Sequence, residues 1–237
     1  MSEQQFDFAP LERESTPVLI ARTLRDAIAR GRFKPGQQLL ETDLSQRFGV
    51  SRGLLREAMQ RLTQEGLLVG RKNRGIFVAT FGPEDLVDIY TSRIAIERGA
   101  CLKVIDVTGR TEEMYAALTA LTDELEALDP TEAESWAAID LDIAFHEKLV
   151  EEAQSPRLNR MYETLAAETR MCLAALEGPS FPLPERIAEH RRIADAIRAK
   201  DVPTLHALLA QHMDHALAEI TRLRSEQPDE PGVAEGR

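Results

Sequence analysis

The sequence predicts a mainly α-helical protein in two parts, an N-terminal winged helix-turn-helix and a C-terminal antiparallel all-helical bundle. Three observations predict it. Three short amphipathic stretches are followed by two β-type runs around a basic turn, all within residues 16–80. Beyond Pro83 strand signals cease, and helical spacing of apolar residues continues to about residue 224. Charge divides at the same place. Residues 16–80 hold 12 Lys/Arg against 5 Asp/Glu, whereas residues 81–237 hold 16 against 31. A basic module on an acidic body can hold phosphates at one end and repel them at the other.

The elements follow in order. Residues 1–15 are polar and read as a flexible N-terminus. Helical spacing starts near Pro17, with Ile20, Leu24 and Ile28 on one face, and Gly31 stops it. Lys34-Pro35-Gly36 predicts a turn. A second helix is expected over Glu41–Phe48, broken by Gly49. A third spans about 52–65, with Ser51 as N-cap and Gly66 at its end. Leu67-Leu68-Val69 and Ile76-Phe77-Val78 flank Gly70 through Gly75 and predict a hairpin tipped by Arg71, Lys72 and Arg74.

Further helices are expected near 84–104, 111–128, 132–153, 156–177, 185–199 and 202–224. Thr131 with Glu134 matches a capping box. The proline-containing tail, 225–237, reads as disordered.

Composition narrows the class. The apolar fraction of 43% suffices for a packed core. Two distant cysteines, Cys101 and Cys172, exclude a disulfide framework and a thiolate zinc site. The N-terminus lacks a secretory pattern, and no apolar run approaches the roughly 20 residues that span a bilayer. A soluble cytoplasmic protein without a membrane partner is expected.

The third helix has two opposed faces. Leu55, Ala58 and Leu62 point inward, while Arg52, Arg56 and Gln60 share the outer face. Such a helix can anchor itself and send guanidinium and amide groups to base edges in the major groove of double-stranded DNA. Ser51 at its N-terminus suits a phosphate. The hairpin's Arg71, Lys72, Arg74 and Gly75 suit backbone or minor-groove contact.

Residues 37–79 resemble the N-terminal domain of the GntR family of bacterial transcription regulators. The resemblance rests on Leu44 through Arg52, Arg56-Glu57-Ala58, Glu65-Gly66-Leu67 and Arg74 through Val78. It implies operator binding as a homodimer, with half-sites related by a two-fold axis. Gly53-Leu54 stands where that family usually has Thr-Pro, which removes one threonine contact to DNA.

All five histidines follow residue 140. Asp142 and His146 are one turn apart on an amphipathic helix. His190 aligns with Ile187, Ala194 and Ile197, and His212 with Leu205, Leu209 and Ala216. Buried imidazoles and carboxylates need partners, and a shared metal supplies one. Taken singly, each histidine also reads as an ordinary core or surface residue. His206 shares a face with Leu209 and Met213, whereas His215 reads as solvated. Three imidazoles and one carboxylate suit zinc best, with nickel, manganese, cobalt or iron also compatible.

Residues 84–220 resemble the FCD ligand-binding domain of the FadR-type GntR subfamily. The matching pieces are Arg93-x3-Glu97, Asp142-x3-His146, Glu189-His190 and His212. The resemblance implies a divalent metal held by Asp142, His146, His190 and His212, and a small carboxylate effector beside it. Arg93 is then the expected carboxylate partner, because its planar fork matches that group. Arg170 is a second candidate. Ser155-Pro156 replaces a frequent asparagine.

The expected function is a transcription regulator, not an enzyme, whose operator affinity follows a small organic acid bound near the metal. Two alternatives stand beside it. The metal itself could be the signal for a repressor, or the protein could be a metal-dependent hydrolase with an accessory DNA module. No general base motif or phosphate loop accompanies the proposed ligands.

Overall fold

The structure is a computed structural model that describes residues 15–129, 136–174 and 183–226. Its first helix, α1 (Thr16–Ala29), begins with Pro17 in the first turn and buries Ile20, Ala21, Leu24 and Ile28. The chain leaves it through Gly31 in the left-handed region (φ +66°), which a side chain would strain. Helix α2 (Glu41–Phe48) ends on Gly49, also left-handed. Helix α3 (Arg52–Gln64) starts at Ser51, whose hydroxyl accepts from the Leu54 N–H at 3.4 Å. Leu55, Ala58, Met59 and Leu62 are its buried face.

A three-stranded antiparallel sheet completes this part, in the order β1 (Gln38–Leu39), β3 (Gly75–Val78), β2 (Leu68–Arg71). Two details correct the sequence reading. Strand β1 was not expected, because two residues carry no alternation to detect. The wing turn is also tighter than Gly70 through Gly75. Gly70 and Gly75 both lie in strands, and Arg71 pairs with Gly75. The loop is Lys72-Asn73-Arg74, with Asn73 at φ +60°.

The second part is helical. Helix α4 (Pro83–Lys103) is capped where the Gly82 N–H donates to Asp85 Oδ2 at 2.6 Å. It runs into a π-helical segment, Val104–Thr108, that ends at Gly109 and was not expected. Then come α5 (Thr111–Glu126), α6 (Trp136–Glu151), α7 (Pro156–Ala174), α8 (Leu183–Arg198) and α9 (Val202–Glu226). The last helix extends two residues beyond its expected end. The capping box at Thr131 and Glu134 lies outside the described residues, as do most of the two expected flexible ends. Helix α5 packs on α6 and α8, and α4 on α7 and α9. Phe145, Leu149, Ile193, Ile197, Leu205 and Leu209 lie in the shared core. No helix among the described residues is long and apolar enough to cross a membrane.

The two parts touch through α7. Ala167 and Met171 join the hydrophobic cluster formed by Ile20, Leu24, Leu55 and Leu62, so α7 closes the core of the winged module. Polar contacts flank this seam. Arg30, the residue that follows α1, meets Asp140 of α6 at 3.0 Å, and Arg224 of α9 donates to the Phe81 carbonyl at 2.8 Å.

Candidate metal centre and nucleic-acid interface

Three helices bring the four expected ligands together. Asp142 and His146 project from α6, His190 from α8 and His212 from α9. One ligand atom from each lies within 4.8 Å of all the others. His146 and His190 are fully buried. The sequence places them so because each occupies a core position on its helix: His146 follows Phe145, and His190 lies one turn before Ala194. Phe145 stacks flat on His190, with ring centroids 3.9 Å apart.

Two carboxylates orient the imidazoles. His146 Nδ1–H donates to Glu97 Oε2 at 2.9 Å, and His212 Nδ1–H to Glu189 Oε2 at 2.7 Å. Each carboxylate fixes a tautomer whose other nitrogen carries a lone pair. Those two Nε2 atoms lie 3.0 Å apart. Burial, followed by Glu97 and Arg93 with opposing effects, leaves the His146 pKa below its ordinary value, so the ring is neutral. A proton held between them or a shared cation satisfies both. His190 adds to the case. Its two ring nitrogens make no hydrogen bond among the described residues, although Nε2 lies 3.4 Å from Asp142 Oδ1. Burial, then His212, pushes its pKa well down, while Asp142 opposes. A buried imidazole with a lowered pKa and no hydrogen bond among the described residues suits a metal ligand.

Asp142 is held ionised. Burial works against its charge, but Arg186, the largest opposing influence, helps keep the carboxyl well below its usual range. Glu97 behaves alike: burial raises it, His146 and Arg93 lower it, and it settles at about 2. Arg93 is the permanent positive charge beside Glu97.

The cluster opens on a cavity of about 420 Å³, lined by Tyr90, Arg93, Asp142, Arg186, His212 and Met213 among others. Arg93 is almost fully buried. Its Nε donates to Glu97 Oε1 and Tyr162 Oη, each at 3.2 Å, and its Nη2 has no hydrogen-bond partner among the described residues. Arg170 is elsewhere. It lines a second cavity beside Arg25 and Arg30, and its guanidinium grips Glu147 in two bonds of 2.9 Å. The structure does not bring it to the histidines. His215 is exposed as expected, yet donates to Glu189 Oε1 at 2.7 Å. His206 stands apart from the cluster.

Sequence reasoning gave Glu97 and Glu189 no task and did not single out Arg186. The available signals were local: Glu97 lies one turn after Arg93, Glu189 precedes His190, and Arg186 lies one turn before it.

At the other end, Ser51, Arg52, Arg56 and Gln60 are all exposed along α3. In the wing, Lys72, Arg74 and Gly75 are exposed and Arg71 is half-buried, its guanidinium 4.6 Å from the Phe77 ring centre. Gly75 sits at φ +98°, and a Cβ there would come within 2.9 Å of Gln38 Nε2. That amide donates to the Arg74 carbonyl at 2.7 Å and ties β1 to the wing. Arg56 is not idle. Glu41 of α2 takes its Nε and Nη2, at 2.8 to 3.1 Å.

Residues 18–78 match the gntR family of bacterial regulatory proteins, and residues 88–215 match the FCD domain. The chain belongs to the GntR family. It is 30% identical to the HTH-type transcriptional regulator YdhC of Bacillus subtilis over 192 residues, 81% of this chain and 85% of that one. It is 28% identical to the HTH-type transcriptional repressor GlaR of Escherichia coli, over 81% of this chain and 90% of the relative. A GntR transcriptional regulator from Rhodococcus sp. RHA1 has the same fold, with a TM-score of 0.71 and 28% identity over 88% of this chain and 99% of that one. This GntR protein is thus a bacterial transcription regulator with an FCD domain, and the hydrolase alternative gives way.

Proposed function

We propose that the protein is a cytoplasmic homodimeric regulator whose grip on operator DNA is set by a small carboxylate bound beside a divalent metal. The single observation that carries this reading is the convergence of Asp142, His146, His190 and His212, two of which, Asp142 and His212, line a cavity that Arg93 also lines. The donor set favours zinc, with nickel, manganese, cobalt and iron as alternatives. When bound, the metal supplies a Lewis-acidic positive charge for a carboxylate. Arg93 Nη2, buried without a partner, supplies a second anchor. On the DNA side, Ser51, Arg52, Arg56 and Gln60 read the major groove, while Arg71, Lys72, Arg74 and Gly75 contact the backbone or minor groove.

Helix α6 offers a route between the ends. It carries Asp142 and His146 on one face and presents Asp140 to Arg30, just past the end of α1, on another. A ligand that shifts α6 therefore pulls on the winged module. Coupling of this kind is worth about 1–3 kcal/mol, or 5–150-fold in operator affinity.

The test is a titration of an operator selected from a random duplex pool. It is read by fluorescence anisotropy with metal-free protein, with zinc-loaded protein, and with zinc plus small carboxylates. A change of fivefold or more on adding a carboxylate to the zinc form, absent in the metal-free form, supports the reading. The four ligands come entirely from the chain, which favours a second reading in which metal alone is the signal. In that case zinc by itself shifts operator affinity and carboxylates add nothing.

A further inference from the structure

The cavity beside the candidate metal ligands has walls of opposite character. Its buried wall holds Arg93, 3% exposed, together with Asp142 and His212 of the ligand set. Arg93 Nη2 has no hydrogen-bond partner among the described residues. Arg186 lies in the same wall, 3.6 Å from Asp142 Oδ1. The outer wall holds three carboxylates: Glu185, which is exposed, and Glu189 and Glu219, which are half-buried.

The outer wall carries more negative charge than its neighbours offset. Glu219 accepts from Arg222, which it shares with Glu226. Glu189 accepts from His212 and His215, with Arg192 4.0 Å away. Glu185 has no hydrogen bond or ion pair among the described residues. Four carboxylates, Glu226 included, thus meet two guanidinium groups. A cleft lined by an excess of one sign draws the opposite sign from solution. Hydroxyl groups use the same oxygens but leave the excess in place, whereas an ammonium group offsets it.

Helix geometry sets the spacing. On α9, Ala216 stands one turn beyond His212 and Glu219 almost two turns beyond it, and all three line the cavity. At about 1.5 Å per residue, Glu219 is roughly 10 Å along the helix from that ligand. On α8, Glu185 precedes His190 by roughly 7–8 Å on the same scale. Met213 and Ala216 lie between the two ends of the cavity and suit methylene groups. An ammonium group bonded beside the carboxylate is too near to reach the outer wall. One separated from it by roughly four to six atoms spans the distance, and a cavity of about 420 Å³ admits such a molecule.

We infer that the effector is an amino acid with its ammonium group remote from its carboxylate. The carboxylate lies at Arg93 beside the metal, and the ammonium group lies at the outer wall by Glu185. This rests on the proposal that a carboxylate binds beside the metal.

The test uses four six-carbon acids on the full-length zinc-loaded protein: hexanoate, 6-hydroxyhexanoate, 6-aminohexanoate and adipate. They share a carboxylate and an unbranched chain, and the far group is methyl, hydroxyl, ammonium or carboxylate. Dissociation constants come from calorimetry, and metal content is measured for every sample. In the native protein 6-aminohexanoate should bind about fivefold or more tightly than each of the other three. In Glu185→Gln its advantage over hexanoate should fall to within about twofold. Hexanoate, 6-hydroxyhexanoate or adipate binding as tightly as 6-aminohexanoate in the native protein overturns the inference and leaves the carboxylate reading intact. So does an ammonium advantage that survives in Glu185→Gln. If none of the four acids binds the zinc form, both fail. The native comparison decides the matter even if the variant does not fold.

Discussion

His146 and His212 turn their Nε2 atoms toward each other at 3.0 Å, while each Nδ1–H is taken by a carboxylate. A cation bound between them would satisfy both nitrogens, which otherwise must share a proton. Chelation should lower the melting temperature by several degrees, and one equivalent of zinc should restore it. A ligand present at a hundred times its Kd stabilises by about 2.7 kcal/mol. Differential scanning fluorimetry with metal analysis checks this. A melting point indifferent to chelator in a protein shown to have lost its metal would remove the case for a bound ion.

Glu189 holds His212 and His215 through its two oxygens, at 2.7 Å each. Glu189→Gln keeps the shape but loses the charge that selects Nδ1–H on His212. Zinc affinity should fall about 10–100-fold, the usual effect of losing a partner behind a metal ligand. His215→Ala should change it by less than threefold, because His215 is exposed and outside the ligand set. A competition assay against a zinc indicator measures both.

Glu168 of α7 lies across the seam from the winged module, and a Cβ on Gly66 would sit 3.2 Å from its Oε1. Burial, then the charges of Asp88 and Asp85, raise its pKa to about 7. A carboxyl raised on folding holds a proton that the unfolded chain releases. Its contribution is therefore present below the ordinary carboxylate range and is lost as pH climbs toward and past 7. Glu168→Gln should match the native protein near pH 4.5 and be more stable at pH 8. The gain should be about 1–2 kcal/mol once solvent screening of this half-buried group is allowed for. Urea unfolding at the two pH values checks it. A variant that is less stable at pH 8 would reverse the sign.

Much of this architecture was legible because it is local. Apolar residues three and four apart marked each helix, and Gly31, Gly49 and Gly66 stopped the first three where left-handed backbone was needed. The four candidate metal ligands could be read because each shared a face with core residues of its own helix. What escaped depends on distant pairs. Glu97 meets His146 from 49 residues away, and Glu189 meets His212 from 23. Neither spacing has a periodic signature. Arg170 shows the converse. Its helix was read correctly, but helical phase alone could not tell which cavity its guanidinium would reach.

Glu41 holds Arg56 through Nε and Nη2, so the arginine proposed to read the operator is already held in place by α2. Two consequences follow from the charge and the geometry. Glu41→Gln removes a negative group from the surface proposed to face DNA, which should raise affinity for non-operator DNA. It also frees Arg56 to sample rotamers, which should weaken bidentate recognition of guanine. The ratio of operator to non-operator affinity should therefore fall, by about threefold to tenfold, although total DNA binding improves. Arg56→Ala should lower operator affinity and that ratio together. Lys72→Ala and Arg74→Ala should instead weaken all duplexes evenly, each reducing the slope of log affinity against log salt by about 1. Salt titrations on operator and scrambled duplexes separate the two patterns. An unchanged ratio in Glu41→Gln would mean that the ion pair does not position Arg56 for reading, and the side chain's aim would have to come from the DNA itself.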